Sequence, residues 1–121
     1  FTVKFWNNYA VHCGQAAQNS GIAADAGKES DVLKTYAFAH EKLGGLDVLI
    51  NNAGFGTFGK FDDMDSKESK DMIQLNVSAL TELCHLYIND MKSLGGGHIL
   101  LIASLVGFMP NHSPLCVPCM Q

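Results

Sequence analysis

The chain has 121 residues, with 8 Lys and no Arg against 12 Asp plus Glu, and a formal net charge of −4. That balance lacks the phosphate-neutralising surface that nucleic acid demands, so no nucleic-acid partner is expected. With 47% hydrophobic and 17% charged residues the composition is that of one folded domain, neither disordered nor collagen-like. No apolar run reaches the roughly 20 residues that cross a bilayer, and no signal-peptide succession opens the chain; a cytoplasmic location is expected. Four cysteines, Cys13, Cys84, Cys116 and Cys119, are too few and too uneven for a secreted disulfide framework, so reduced thiols are expected.

In chain order, Phe1, Val3 and Phe5 alternate as a strand does, but nothing up to Ser20 continues into a helix, and residues 1–20 stay unassigned. A short apolar run from Gly21 to Asp25 predicts a strand. Val32, Tyr36, Ala39 and Leu43 then recur at helical spacing ahead of Gly44-Gly45, which predicts a helix over about residues 29–43. Leu46 to Ile50 is short, nearly all apolar and ended by Asn-Asn, the pattern of a strand buried on both faces. Asp65 with Glu68 three residues on resembles a capping box. It predicts a second helix from about residue 66 to 92, with Ile73, Val77, Leu80, Cys84, Tyr87 and Met91 as its buried face and Gly95-Gly96-Gly97 as its stop. His98 to Ala103 predicts another buried strand. From Ser104 to Gln121 no period is evident, and 111–121 reads as an irregular tail. The order β-α-β-α-β over residues 21–103 predicts three adjacent parallel strands with right-handed crossovers.

Gly54-Phe55-Gly56-Thr57-Phe58-Gly59 matches G-x-G-x-x-G after a predicted strand. The dinucleotide fingerprint needs a helix N-terminus to arrive at once and hold the pyrophosphate. Here the helix is delayed, and Asp62, Asp63 and Asp65 would repel a phosphate, so the stretch reads as a glycine-rich loop. Cys116 and Cys119 form a C-x-x-C that suits half a zinc site or a thiol pair, but the second half-motif is missing and no metal is expected. Ser104 lacks the flanking glycines of a nucleophile elbow.

Leu46 to Gly54 (LDVLINNAG), Asn76 in LNV on the following helix, and Ile102-Ala103-Ser104 after a strand together resemble the short-chain dehydrogenase/reductase family. The resemblance covers about residues 21–110, and Asp25 to Ser30 looks like the segment that leads into that family's third helix. It implies an α/β, Rossmann-like parallel sheet with flanking helices, truncated to about three strands. It also implies NAD(P)-dependent hydride transfer between a nicotinamide and a small carbonyl or alcohol substrate, with NAD against NADP unreadable. By the same resemblance Asn51, Ala53 and Gly54 back the cofactor and Asp25 contacts its adenine. Ser104 holds the substrate oxygen, and Asn76 anchors a water in the proton relay. Each position also has a local reading: Ser104 as a turn former, Asp25 as a turn acceptor ahead of a helix, Asn76 as a partly exposed helix position.

The family pattern breaks at both ends. Its acid/base is a Tyr followed four residues later by a Lys, whose charge lowers the phenol pKa. Here Tyr9 is followed by Cys13, Tyr36 by His40 and Tyr87 by Met91, Pro118 stands in the place of the Tyr, and the last lysine is Lys92. The glycine-rich phosphate loop that should precede Gly21 is also missing, with Gly14 alone there. The expectation is therefore an excerpt of a longer enzyme or a shortened relative, in either case without catalysis by these residues alone. The alternative is a non-catalytic binding or dimerisation protein, self-associating through the helix 66–92.

Overall fold

A computed structural model describes residues 2–4, 9–15, 18–57 and 61–104, with side chains from 21–57 and 62–104. Cys116, Cys119 and the tail 111–121 lie outside these residues, as do Phe1 and Phe5. Three strands precede residue 21: β1 (Thr2–Lys4), β2 (Tyr9–Gln15) and β3 (Gln18–Ser20). β1 pairs antiparallel with β2, Val3 opposite Val11, and β2 pairs antiparallel with β3, Gly14 opposite Asn19. β4 (Ala23–Ala24) joins the far edge of β2, again antiparallel. β5 (Val48–Asn51) lies parallel to β1 through Thr2 opposite Ile50, and β6 (His98–Leu101) lies parallel to β5 with Leu49 opposite Ile99.

Two reversals restore direction, so β4, β5 and β6 all run the same way, as β-α-β-α-β units require. They are not three adjacent strands, however. β2 and β1 stand between β4 and β5 in the order β3-β2-β1-β5-β6, because residues 2–15 supply the ladder partners that β4 and β5 would otherwise give each other. The fold is α/β, with a partial parallel sheet flanked by helices and extended by antiparallel strands.

α1 (Glu29–Leu43) matches its predicted span. Its apolar period ends where Gly44 adopts φ 68° and donates its N–H to the His40 carbonyl at 2.9 Å, a left-handed cap that glycine takes without steric cost. α2 (Ser66–Ile73) starts at Asp65, whose Oδ1 accepts the Lys67 N–H at 2.9 Å. A π segment over Gln74–Ala79 joins it to α3 (Leu80–Ser93), so one long helix is built with a wide turn inside it.

That turn corrects the predicted buried face. Met72, Leu75, Asn76, Ala79, Leu83, Tyr87 and Met91 are buried, whereas Ile73 and Val77 are exposed, Val77 by 39%. Met72 to Met91 takes nineteen residues where five turns of regular helix take about eighteen. A strict repeat counted back from Met91 and Tyr87 therefore misses the buried stripe by one residue. The core gathers Val32 and Ala39 of α1, Leu49 of β5, and Leu75, Ala79, Leu83, Tyr87 and Met91 of the long helix.

β5 is buried on one face only, a second correction. Leu49 and Asn51 face the helices and are buried, while Val48 is exposed on the other side. β6 is not a buried strand either: it ends the strand order, and Leu100 and Leu101 are both exposed, Leu101 by 49%. Cover by helices on one face alone leaves Leu100 open, whereas Leu101, on the face of Leu49, is open because it lines the cleft at the end of the strand.

Tyr36 of α1 pins this helix to α3. Its Oη donates to Asp90 Oδ1 at 2.9 Å and its ring meets Tyr87 edge-on at 5.2 Å. Burial first, and then the hydrogen bond and charge of Asp90, hold the phenol above its ordinary pKa. A raised folded-state pKa contributes stability that is complete below the unfolded value of about 10 and is lost as pH rises through the folded value. Tyr36→Phe is thus expected to cost about 1 kcal/mol near pH 8. The gap to the parent chain should narrow above pH 10, as read from urea midpoints at the two pH values.

Candidate functional site

Because β4, β5 and β6 share a direction, their carboxyl ends meet one edge of the sheet, where open α/β sheets bind ligands. Asn51 closes β5 there. Its carbonyl accepts the Ile102 N–H at 2.8 Å, which carries the ladder one residue past β6 and brings Ala103 and Ser104 to the same edge. The buried Asn51 side chain donates from Nδ2 to Cys84 Sγ at 3.3 Å. Burial pushes the Cys84 thiol up in pKa, against a smaller downward pull from Asn51, so it is a structural acceptor and a poor nucleophile.

Beyond Asn51 the chain runs through Asn52, the partly buried Ala53 and Gly54 to Phe55, and there it is held from the long helix. Asn76, only 3% exposed in the π segment, accepts the Phe55 N–H on Oδ1 at 3.1 Å and donates from Nδ2 to the Phe55 carbonyl at 2.8 Å. A carboxamide supplies one donor and one acceptor side by side, so it can replace the two-bond exchange of a neighbouring strand. The partly exposed reading of Asn76 is thereby corrected, since the wide turn places this polar side chain inside the fold. Phe55 was not among the residues the sequence singled out; a polar residue in a buried helical stripe was the available signal, but nothing in the spacing named its partner.

A cleft of about 160 Å³ opens beside this contact, lined by Asn76, Val77, Leu80, Thr81, Leu101, Ile102 and Ala103. Asn76 and the residue preceding Ser104 therefore share one cavity. Asp25 follows β4 at the same edge, but β2 and β1 intervene, placing β4 three strand spacings, about 14 Å, from β5. Its carboxylate accepts the Gly27 N–H at 3.0 Å and stands 3.6 Å from Lys28 Nζ, while its own N–H donates to Asp31 Oδ2 at 2.8 Å. Asp25 closes the turn into α1, and the structure does not bring it into the Asn51, Asn76 and Ser104 group.

The described residues do not fit the phosphate end of a dinucleotide. Such a site needs free backbone N–H groups at a helix start directly after a strand. Before Gly21 the described residues form strands, with Gly14 inside β2 opposite Asn19. The first helix start, that of α1, carries Asp25, Glu29 and Asp31, which repel a phosphate. The G-x-G-x-x-G stretch is likewise separated from α2 by a turn at Phe61–Asp63, with Asp62, Asp63 and Asp65 ahead of Ser66. Among the described residues no three His, Cys, Asp or Glu side chains converge on a metal-sized point, and no helix is long and apolar enough to cross a membrane.

The family model for short chain dehydrogenases matches residues 6–115, and the chain belongs to this family. It is 29% identical over 92 residues to dehydrogenase/reductase SDR family member 4 of Oryctolagus cuniculus, covering 75% of this chain and 35% of that protein. To the oxidoreductase UcpA of Escherichia coli it is 28% identical over 97 residues, covering 80% and 37% respectively. Among solved structures it resembles the bulky-bulky ketone specific alcohol dehydrogenase of Comamonas testosteroni (31% identity, TM-score 0.66, covering 74% of this chain and 35% of that one). It also resembles a 7α-hydroxysteroid dehydrogenase solved with NADH and 7-oxo glycochenodeoxycholic acid (35% identity, TM-score 0.68, covering 73% and 34%). The chain thus spans about a third of the length of the relatives it matches.

Proposed function

We propose that these 121 residues carry the substrate-facing sheet edge of an NAD(P)-dependent short-chain oxidoreductase acting on a small ketone or alcohol, and that they are incomplete for turnover. The observation that carries this reading is the pair of hydrogen bonds from Asn76 to Phe55. They fix the segment Asn51 to Gly54 beside the approach to Ser104, and a site needs such a held loop. In this reading Ser104 holds the substrate oxygen, Asn76 and Asn51 position the loop, and Ala53 and Gly54 form the surface that a bound nicotinamide backs onto. Asp25, half-exposed after β4 on the same edge, would meet the adenine side. The family's NADH-bound member supports NAD or NADP as the complete enzyme's cofactor, whereas the strands before Gly21 supply no phosphate cradle. The domain division that goes with this reading keeps 21–110 as the partial Rossmann-like unit and 111–121 as a tail, with residues 1–20, unassigned from sequence, contributing β1 to β3 to the same sheet, in a cytoplasmic protein with reduced thiols.

No Tyr in the 121 residues is followed four positions later by Lys, so no phenol stands ready to exchange the substrate proton. The purified chain is expected to oxidise neither NADH nor NADPH in the presence of aliphatic and aryl ketones, as followed by nicotinamide absorbance. A rate that disappears in Ser104→Ala would overturn the incompleteness.

The second reading, a non-catalytic binding or dimerisation protein using residues 66–92, draws on the exposed Ile73 and Val77 beside the exposed Leu101 and Ile102. Light scattering on the same sample separates the two. A concentration-dependent dimer with no nucleotide-induced rise in Tm favours self-association, and a monomer stabilised by NADH favours the enzyme.

A further inference from the structure

Phe55 is 41% exposed, yet its backbone is held on both sides by a buried side chain 21 residues away. Most exposed apolar side chains sit on helix or strand surfaces and need no explanation. This one lies on a loop with glycine on either side, Gly54 and Gly56, so no flanking side chain shields the ring. Among the described residues no other aromatic ring pairs with it, whereas Tyr36, Tyr87 and His40 are grouped elsewhere. It contributes nothing to the core cluster. The Asn76 clamp fixes the backbone that carries this ring at the carboxyl edge of the sheet.

We propose that Phe55 is a specificity-determining contact that receives a planar, conjugated ring of the substrate, beside the carbonyl or hydroxyl carbon that Ser104 addresses. The inference rests on the reading of this edge as the substrate site and adds the chemical class of what enters it. A ring is favoured over an alkyl chain because an aromatic face and edge carry opposite partial charge, which rewards offset-stacked or edge-on rings beyond the area they bury. Pre-fixing the loop also removes the ordering cost that a mobile contact would add to binding.

The test is a titration of the isotope-labelled full chain with acetonaphthone, an aryl ketone, followed residue by residue by NMR. Saturable shifts are expected at Gly54, Phe55 and Ala103. In Phe55→Ala the affinity should fall roughly five-fold, with Tm unchanged because the ring is outside the core, and Phe55→Trp should restore it. Equal affinity in Phe55→Ala overturns the assignment to Phe55 while leaving the edge as the substrate site. Saturable shifts only elsewhere, or none at all, overturn both. A parallel titration with nicotinamide riboside tests the other source of a planar ring: shifts at Phe55 with that compound and not with acetonaphthone overturn the substrate assignment.

Discussion

Asn76→Ala is expected to destabilise the chain by about 3 kcal/mol, the sum of two lost hydrogen bonds and a buried vacancy. The cost is high for one polar residue because both ends of the carboxamide are used and neither Phe55 partner gains a replacement from a methyl group. Asn76→Leu fills the space but leaves the same two backbone groups unpaired, so it should recover little. Asn76→Asp separates volume from hydrogen bonding more sharply. It keeps the acceptor for the Phe55 N–H and sets a second oxygen against the Phe55 carbonyl, an arrangement that is satisfied only when the acid is protonated. Its folded-state pKa is therefore raised, and the variant should be most stable at low pH and lose stability as pH rises through that value. Urea melts of the three variants, with hydrogen exchange at the Phe55 amide, check this. If Asn76→Ala melts within about 0.5 kcal/mol of the parent, a span usual for surface changes, the loop is held by something other than Asn76.

Leu49→Ala should cost about 3 kcal/mol and Leu101→Ala less than about 1, although the two leucines lie on adjacent strands and the same face of the sheet. Leu49 is 0% exposed, in the strand flanked by β1 and β6, and belongs to the cluster that joins α1 and the long helix to the sheet. Its truncation leaves a cavity with rigid walls. Leu101 is half exposed at the rim of the cleft, where water already reaches it. Thermal or urea unfolding of the pair measures the difference. Equal losses would mean that the cleft is closed in solution.

How far the fold could be read from the residues depends on how local the cause of each feature is. α1 was readable to its last residue because its apolar repeat and the glycine that takes φ 68° are neighbours. The start of α2 at Ser66 was readable because Asp65 caps it over two residues. The strands before Gly21 were not, apart from the alternation around Val3, since β1 and β3 are three residues each and the pairing of these strands is set by partners as distant as Ile50. The side of the long helix that is buried was misjudged at Ile73 and Val77, because one repeat length was applied across a wide turn.

At the candidate site, Asn51, Ala53, Gly54, Asn76 and Ser104 come to one edge, as their motifs and the strand order suggested. The contact that organises them was hidden, since Phe55 and Asn76 meet across a loop and a helix with no spacing rule between them. Asp25 shows the reverse: its local role as a turn acceptor, evident from its place ahead of a helix, is what its hydrogen bonds display.

The π segment at Gln74–Ala79 also bears on how this chain tolerates changes of length. A wide turn is equivalent to one residue inserted into a regular helix and retained. Deleting one residue from it would let the segment tighten into regular helix, about five turns from Met72 to Met91, so both flanking halves keep their faces. A second deletion would swing one half by about 100° relative to the other. A single deletion therefore spares the buried positions of Met72, Tyr87 and Met91, and its effect falls within the segment, on Asn76 and its clamp of Phe55. The extra residue of the wide turn is thus dispensable to the packing of the helix and not to the clamp, so this turn serves the site more than the fold.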